Sequence, residues 1–329
     1  MEDLLPFECI DRELIIRKKA DTSDKFGMKP ENRKAEELLK YGIVNIDKPK
    51  GPSSHQVSAY AQKILGLDKA GHSGTLDPGV TGVLPIGFGR ATRIVQVLLT
   101  AGKEYVAIMR LHKDVPEHQI RESCAKFLGK IQQLPPVKSA VKRQLRERSI
   151  YYLEILEIKG RDVLFKVGCQ AGTYIRKLIF DIGKEIGCGA NMFELRRTKA
   201  GPFNESTLAT LQDLTDAVYY FREGNEKLIR RVIQPPEAAV RHLPKVYVLD
   251  SAVDSLCHGA NLHNPGISQL ESGIEPENVV AVMSLKGELV CYGLAKLQSQ
   301  GMLTDHGLAV KTEKVFMIPG TYPKIEKES

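Results

Sequence analysis

The sequence predicts an α+β chain: a mixed, largely antiparallel sheet flanked by helices, followed by a small C-terminal β-barrel. Three observations lead there. Strand-like and helix-like segments interleave without a regular β-α-β period, which argues against a doubly wound parallel sheet. Two strand-like runs, 151–158 and 163–169, flank Lys159-Gly160-Arg161-Asp162, as in an antiparallel hairpin. After Gln234-Pro235-Pro236 the texture changes to short strands separated by Gly and Asn turns, as in a barrel or sandwich.

Taken in order, residues 1–40 are charged and weakly patterned, so an extension lying over the surface is expected rather than a core element. Residues 41–240 are expected to form the larger domain. It opens with a strand over 42–47 that Lys48-Pro49-Lys50-Gly51-Pro52 terminates, because two prolines and a glycine interrupt pairing. Ser53-Ser54 supplies an N-cap, and Val57, Tyr60, Ile64 and Leu65 follow at helical spacing. A Gly-rich stretch, 71–90, leads into a helical run over 92–99, a strand over 103–111 and a helix near 118–128. In the helix expected over 173–186, Ile175, Leu178, Ile179, Ile182 and Ile186 form one stripe that stops at Gly187. Residues 245–320 are expected to be the barrel, with strands at 246–249, 279–285, 289–297 and 308–316, a short helix at 251–258 and a hairpin at Lys286-Gly287.

The bulk numbers fit a folded protein. With 42% apolar and 26% charged residues in 329, a sizeable core is available and length favours two domains. Forty-seven Lys and Arg against forty Asp and Glu give a net charge of +7, a modest bias toward acidic partners such as nucleic acid. The six cysteines are scattered without C-x-x-C or a nearby His pair, so neither a metal site nor a disulfide framework is expected, and they read as small buried hydrophobes in a reducing compartment. The acidic start lacks a signal-peptide pattern, and no apolar run approaches the roughly 20 residues that span a bilayer. A cytoplasmic location without membrane partners is expected.

Asp77 lies in Gly71-His72-Ser73-Gly74-Thr75-Leu76-Asp77-Pro78-Gly79-Val80-Thr81-Gly82, where four glycines and a proline force a tight, irregular backbone. Asp-Pro-Gly is turn chemistry in its own right, so locally a surface turn and a reactive carboxylate both fit. The whole string Gly71 to Arg93 resembles the catalytic motif of the TruB family of pseudouridine synthases. Asn45-Ile46-Asp47-Lys48-Pro49 with Gly51-Pro52-Ser53-Ser54 resembles the family's first motif. Further matches follow in order at Lys103-Glu104-Tyr105, Ala171-Gly172-Thr173-Tyr174-Ile175-Arg176 and Glu194-Leu195-Arg196-Arg197-Thr198.

The resemblance implies a pseudouridine-synthase sheet with a PUA-like barrel, an enzyme that isomerises uridine to pseudouridine, and no cofactor. It implies Asp77 as nucleophile, Arg176 as its ionic partner and Tyr105 as the residue stacking on the base. His72, Tyr174, Leu195, Lys48, Lys142, Arg143 and Arg146 are implied as substrate contacts. Charge alone also favours an Arg beside a carboxylate that must stay ionised. An isolated strand Tyr is as often a half-buried packing residue, and His72 could enter the RNA or bond within its own loop. Lys138, Lys142, Arg143, Arg146 and Arg148 place five cations in eleven residues, read as an RNA-gripping loop.

Within the family, the extension, Gln133-Leu134-Pro135-Pro136-Val137-Lys138 and the barrel with Pro265-Gly266-Ile267 are most similar to the archaeal, dyskerin-like branch. That implies rRNA or tRNA as substrate, a box H/ACA guide RNA and small H/ACA ribonucleoprotein proteins as partners; a stand-alone enzyme acting on a tRNA T-loop is the alternative. A non-catalytic RNA-binding scaffold is disfavoured by Asp77, Tyr105 and Arg176 occurring together. A methyltransferase is disfavoured because no Gly-rich strand-to-helix turn with a following ribose-binding acid is present.

Overall fold

The computed structural model describes residues 3–135 and 144–324. The chain runs through Leu14–Ile16 (β1), Ala35–Tyr41 (α1), Ile43–Lys48 (β2), Ser54–Leu65 (α2), Ala70–His72 (β3), Thr81–Phe88 (β4), Val95–Thr100 (α3) and Lys103–Leu111 (β5). Glu117–Ala125 (α4), Gly129–Gln133 (β6), Arg146–Lys159 (β7), Asp162–Cys169 (β8), Ile175–Ile186 (α5) and Ala190–Ala200 (β9) follow. Phe203–Asn204 (β10), Leu211–Arg222 (α6), Lys227–Val232 (α7) and Ile233–Gln234 (β11) close this part.

Among the described residues these strands join in the order β11-β2-β4-β9-β5-β8-β7-β6, with β3 on β4 and β10 on β9. Every pairing is antiparallel except β4 with β9, where Thr81 lies opposite Arg196 and Gly82 opposite Arg197. The expected mixed, largely antiparallel sheet is present. Helix α5 packs over β9 and buries its predicted stripe, with Leu178, Ile179 and Ile182 fully enclosed in one cluster with Phe165, Val167 and Met109.

Strand β4 escapes periodicity because seven of its eight residues are buried, so no polar alternation marks it. Its glycines serve close approach: Gly82 sits at φ +101°, and a Cβ there would lie 2.2 Å from the Arg197 carbonyl oxygen. β6 is also unexpected from sequence, and β7 begins at Arg146 rather than at 151. Arg146 and Arg148 therefore stand on a strand, opposite Gln133 and Ile131, and not in a loop. The basic segment's remaining cations, Lys138, Lys142 and Arg143, lie outside the described residues.

The smaller sheet is built from Lys245–Val248 (β12), Leu262–His263 (β13), Ile267–Glu271 (β14), Val279–Ser284 (β15), Leu289–Ala295 (β16) and Leu308–Val315 (β17), with the helix Asp250–Cys257 (α8). Its order is β1-β14-β12-β15-β16-β17-β13, around a core that includes Val246, Leu256, Val282, Val290 and Val310. β13 and β14 carry little sequence signal; they are short and flank the Asn264-Pro265-Gly266 turn.

The N-terminal segment lies over the surface as expected, residues 6–32 being exposed or half-buried, but it is also tied into the fold at a few points. β1 pairs antiparallel with β14, Leu14 opposite Glu271, and Leu5, Ala35 and Leu38 are buried. Lys286, in the predicted hairpin turn, grips the same segment by donating to the carbonyls of Ser23 at 2.8 Å and Phe26 at 2.5 Å. Cys124, Cys169, Cys257 and Cys291 are buried as expected, whereas Cys9 is exposed and Cys188 half-buried.

One carboxylate joins all three parts. Glu237 accepts two hydrogen bonds from the Arg33 guanidinium, at 2.6 and 2.7 Å, and one from the Leu289 N–H at 2.8 Å. Both side chains of the pair are close to fully buried. Around it, Ile43, Val83 and Ile94 share an apolar cluster with Ala281, Leu289 and Phe316 of the smaller sheet. Arg33→Met leaves the Glu237 charge buried and unpaired, so urea unfolding of the full chain is expected to show a loss of about 3–5 kcal/mol. A change below about 1 kcal/mol contradicts a structural role for the pair.

Candidate active site

The segment carrying Asp77 has no regular structure, and three anchors fix it. Lys48 ends β2 fully buried, its ammonium donating to the carbonyls of Pro49 at 2.9 Å, Pro78 at 3.2 Å and Val80 at 2.8 Å. Burial pushes its pKa down. Ser54, in the first turn of α2, accepts the Leu76 N–H at 2.8 Å and donates to the Leu76 carbonyl at 3.2 Å. Arg197 of β9 donates to the Gly74 carbonyl at 3.4 Å. Asp77 is thus held from both sides while its own side chain stays half exposed.

These anchors correct the expectation that Lys48 contacts substrate: with no exposed surface, it acts on the loop from beneath. The same motif supplies a capping box, Ser53 Oγ accepting the Gln56 N–H at 3.2 Å and Gln56 Oε1 accepting the Ser53 N–H at 2.8 Å, which starts α2 where Ser54 can reach Leu76.

Across from Asp77, the first turn of α5 presents Arg176, and the two side chains form an ion pair. Gln133 of β6 sets the entry to that helix. Its amide accepts the Tyr174 N–H at 3.0 Å and donates to the Tyr174 carbonyl at 3.2 Å, while Thr173 Oγ1 donates to the Gln170 carbonyl at 2.7 Å.

Behind the ion pair lies a cavity of about 430 Å³. Its lining includes Asp77, Leu76, Val80, Tyr105, Tyr174, Arg176, Leu195 and two residues not singled out from sequence, Lys103 and Arg197. The register explains who shares the wall. β5 and β9 pair with Tyr105 opposite Arg197 and Ala107 opposite Leu195, so Lys103 and Tyr105, two apart, face the same side as Leu195 and Arg197. The residues between them serve the other face: Glu104 accepts hydrogen bonds from Tyr152 Oη at 2.5 Å and Thr198 Oγ1 at 2.7 Å. Lys103 and Arg197 were legible as the period-two neighbours of Tyr105 and Leu195.

His72 precedes Ser73 of the cavity lining and does not itself line the cavity. Its Nδ1 accepts the Gly74 N–H at 3.3 Å, and its ring meets His55 edge-on with centroids 4.7 Å apart. Burial, then the neighbouring His55 and Arg197, push its pKa down to about 4, so the imidazole is neutral near pH 7 and keeps the lone pair that Gly74 uses. Arg146 is half-buried on β7, and Lys142 and Arg143 fall outside the described residues. Among the described residues no His, Cys, Asp and Glu cluster has the arrangement of a metal site. A larger cavity, about 720 Å³, is lined by Met28, Arg33, Tyr41, Arg90, Glu288 and Phe316 among others and shares no residue with the cavity at Asp77.

Comparison with known proteins adds a second line. Residues 62–175 match the TruB family pseudouridylate synthase N-terminal domain and 176–241 the tRNA pseudouridylate synthase B C-terminal domain. Residues 6–58 match the DKCLD (NUC011) domain and 244–316 the PUA domain. The chain is 55% identical over 326 residues to a protein of Pyrococcus abyssi named "Probable tRNA pseudouridine synthase B", covering 98% of this chain and 97% of that one. It is 53% identical over 322 residues to one of the same name from Methanopyrus kandleri, covering 97% and 95%. Its fold superposes with a TM-score of 0.94, at 54% identity over 98% of this chain and 99% of the other, on a chain from a Cbf5-Nop10-Gar1 complex. A chain from an H/ACA RNP bound to a substrate RNA containing 2'-deoxyuridine gives 0.92 at 52% identity, over 98% and 99%.

Lys48→Met keeps the length of the side chain and removes its donors. Three carbonyls then lose a partner, and the chain is expected to lose about 1–3 kcal/mol of stability. Hydrogen exchange of the Leu76 and Val80 amides should quicken while β5 and β9 stay protected; unchanged exchange in the loop would show that Lys48 does not hold it.

Proposed function

Because the chain belongs to the TruB family of pseudouridylate synthases, and so isomerises uridine to pseudouridine in RNA, we propose that Asp77 is the carboxylate through which it does so. The observation that carries this is the Asp77–Arg176 ion pair at the mouth of a cavity walled by Tyr105 and Leu195. In the reaction C1′ of the ribose exchanges its bond to N1 of uracil for a bond to C5, and the C5 proton is replaced by one on N1. No outside atom or electron enters, so a carboxylate nucleophile and a grip on the base suffice.

The geometry supports each role. The Arg176 guanidinium, paired with Asp77, puts a positive charge beside the carboxylate and so favours the charged form that a nucleophile needs. A uridine within folded RNA must be turned out to reach the cavity. Tyr105, 8% exposed and fixed in the sheet, presents a ring surface for stacking, and Leu195 and Tyr174 complete the grip. His72, neutral and next to Ser73 of the cavity lining, would meet the strand from which the base has left.

We further propose that the chain works as the catalytic subunit of a box H/ACA guide particle in the cytoplasm. The extensive likeness to chains of such complexes supports this, as does a PUA domain over 244–316 to hold guide RNA, with small ribonucleoprotein proteins as partners. No helix among the described residues is long and apolar enough to cross a membrane. The names of the relatives support a second reading, direct action on tRNA. Mapping pseudouridine in tRNA and rRNA after incubation with the chain alone, and with guide RNA and partner proteins, separates the two: strict dependence on guide excludes the stand-alone reading.

Asp77→Asn keeps shape and removes the nucleophile. Pseudouridine formation is expected to fall at least about 10³-fold with RNA affinity retained; full activity would overturn the assignment. Replacing Arg146 and Arg148 with Ala is expected to weaken RNA binding and to flatten the plot of log affinity against log salt by about 0.7–0.9 for each phosphate no longer neutralised. An unchanged slope would remove this strand from the RNA surface.

A further inference from the structure

The cavity wall carries two cations that the ion pair at its mouth does not explain. Arg197 is 1% exposed and Lys103 5% exposed, and among the described residues neither meets a carboxylate. Arg197 donates to the Val83 carbonyl at 2.8 Å and the Gly74 carbonyl at 3.4 Å, with the Tyr105 hydroxyl beside it. Lys103 donates to the carbonyls of Leu98 at 2.8 Å and Ala101 at 2.6 Å. The carboxylate that lines the same cavity, Asp77, is paired with Arg176. Buried charges are ordinarily paired, and carbonyl dipoles satisfy hydrogen bonds without neutralising charge. The cavity wall therefore holds positive charge with no counter-charge of its own.

We propose that Arg197, with Lys103 behind it, stabilises the negative charge that develops on the uracil ring during isomerisation. The inference rests on the pseudouridine synthase reading and extends it to a residue that motif comparison did not select. Either route for Asp77 generates that charge. If the carboxylate attacks the sugar, the N1–C1′ bond breaks with its electron pair passing to the base, and the charge spreads over N1 and the two carbonyl oxygens. If it attacks C6 of the ring, the C5–C6 π pair moves onto the C4 carbonyl oxygen. In both cases C1′ ends bonded to C5, the C5 proton is lost, and N1 gains one, so atoms and charge balance. Tyr105 and Arg197 are register partners on one cavity wall, so a base stacked on Tyr105 would bring its edge toward Arg197.

The surroundings favour an incoming anion over a permanent one. Burial, then the charge of Arg197, pushes the Lys103 pKa down to about 7, with Cys169 and the neutral His242 as its other ionisable neighbours. An anion on the cavity side restores the ammonium form.

The test uses free 5-nitrouracil, an acidic uracil whose ionisation is visible in its own absorbance, titrated on the full chain across pH. Bound to the native enzyme, its pKa is expected to lie at least one unit below that of the free probe, and Arg197→Gln is expected to abolish the shift. The same variant should lower kcat on target RNA by about 10²–10³-fold with RNA affinity within about threefold, the scale of losing one oxyanion donor; Arg197→Lys should recover part of it. A purely structural Arg197 would leave the probe's ionisation unmoved. No binding of the probe, an unshifted pKa, or full kcat in Arg197→Gln would overturn the proposal. Should that variant fail to fold, the native titration decides alone. Continued pseudouridine formation by the native enzyme in any of these outcomes leaves the Asp77 assignment standing.

Discussion

An ammonium group buried without acceptors costs several kcal/mol, so the chain around Lys48 has to be arranged to supply them. The acceptors come from two segments, Pro49 just after β2 and Pro78 and Val80 just after Asp77. Satisfying one cation therefore closes the turn after the first strand of the larger sheet onto the loop that carries the reactive carboxylate. Ser54 adds its grip on Leu76 one residue before Asp77, which leaves little of the intervening backbone free. Pre-organisation of the nucleophile is in this sense a by-product of hiding a charge, and it requires no contact with Asp77 itself.

The rest of the site follows from pleat and register. Because side chains alternate along a strand, each of the two motifs on β5 and β9 contributes to two different environments. One face offers Lys103, Tyr105, Leu195 and Arg197 to the cavity. The other buries Glu104 with Tyr152 and Thr198 in a closed hydrogen-bonded set. A one-residue slip of β5 against β9 would exchange these faces, and the enclosed Glu104 set opposes such a slip. The bulge between Glu104 and Tyr105 fits this picture, since it places Tyr105 directly opposite Arg197.

Much of this is legible in the residues, and the failures have physical causes. Asp77, Arg176, Tyr105, Tyr174 and Leu195 line one cavity because motifs in fixed order report on packed neighbours. Lys48 misleads because a lysine in a polar motif suggests a surface contact, whereas two of its three acceptors lie about thirty residues away and only the fold brings them near. β4 is hidden because burial on both faces erases alternation, and the N-terminal segment because its partners lie far along the chain. Arg146 and Arg148 read as loop residues since charge density outweighs the weak strand signal around them. Lys103 and Arg197 are easily passed over although two-residue spacing from Tyr105 and Leu195 points to them.

The pairing of β1 with β14 also bears on how the chain is made. Leu14 waits for Glu271 and Ile16 for Gln269, so a strand that leaves the ribosome early finds its neighbour late. Until then its peptide groups and the apolar side chains of Leu14 and Ile16, exposed even in the finished fold, form a bare template for pairing with other chains. The larger sheet can close without it, since its strands lie between Ile43 and Gln234. Synthesis thus creates an interval in which a nearly complete catalytic body carries an unsatisfied edge, and shielding that edge falls to chaperones or to rapid completion of the smaller sheet.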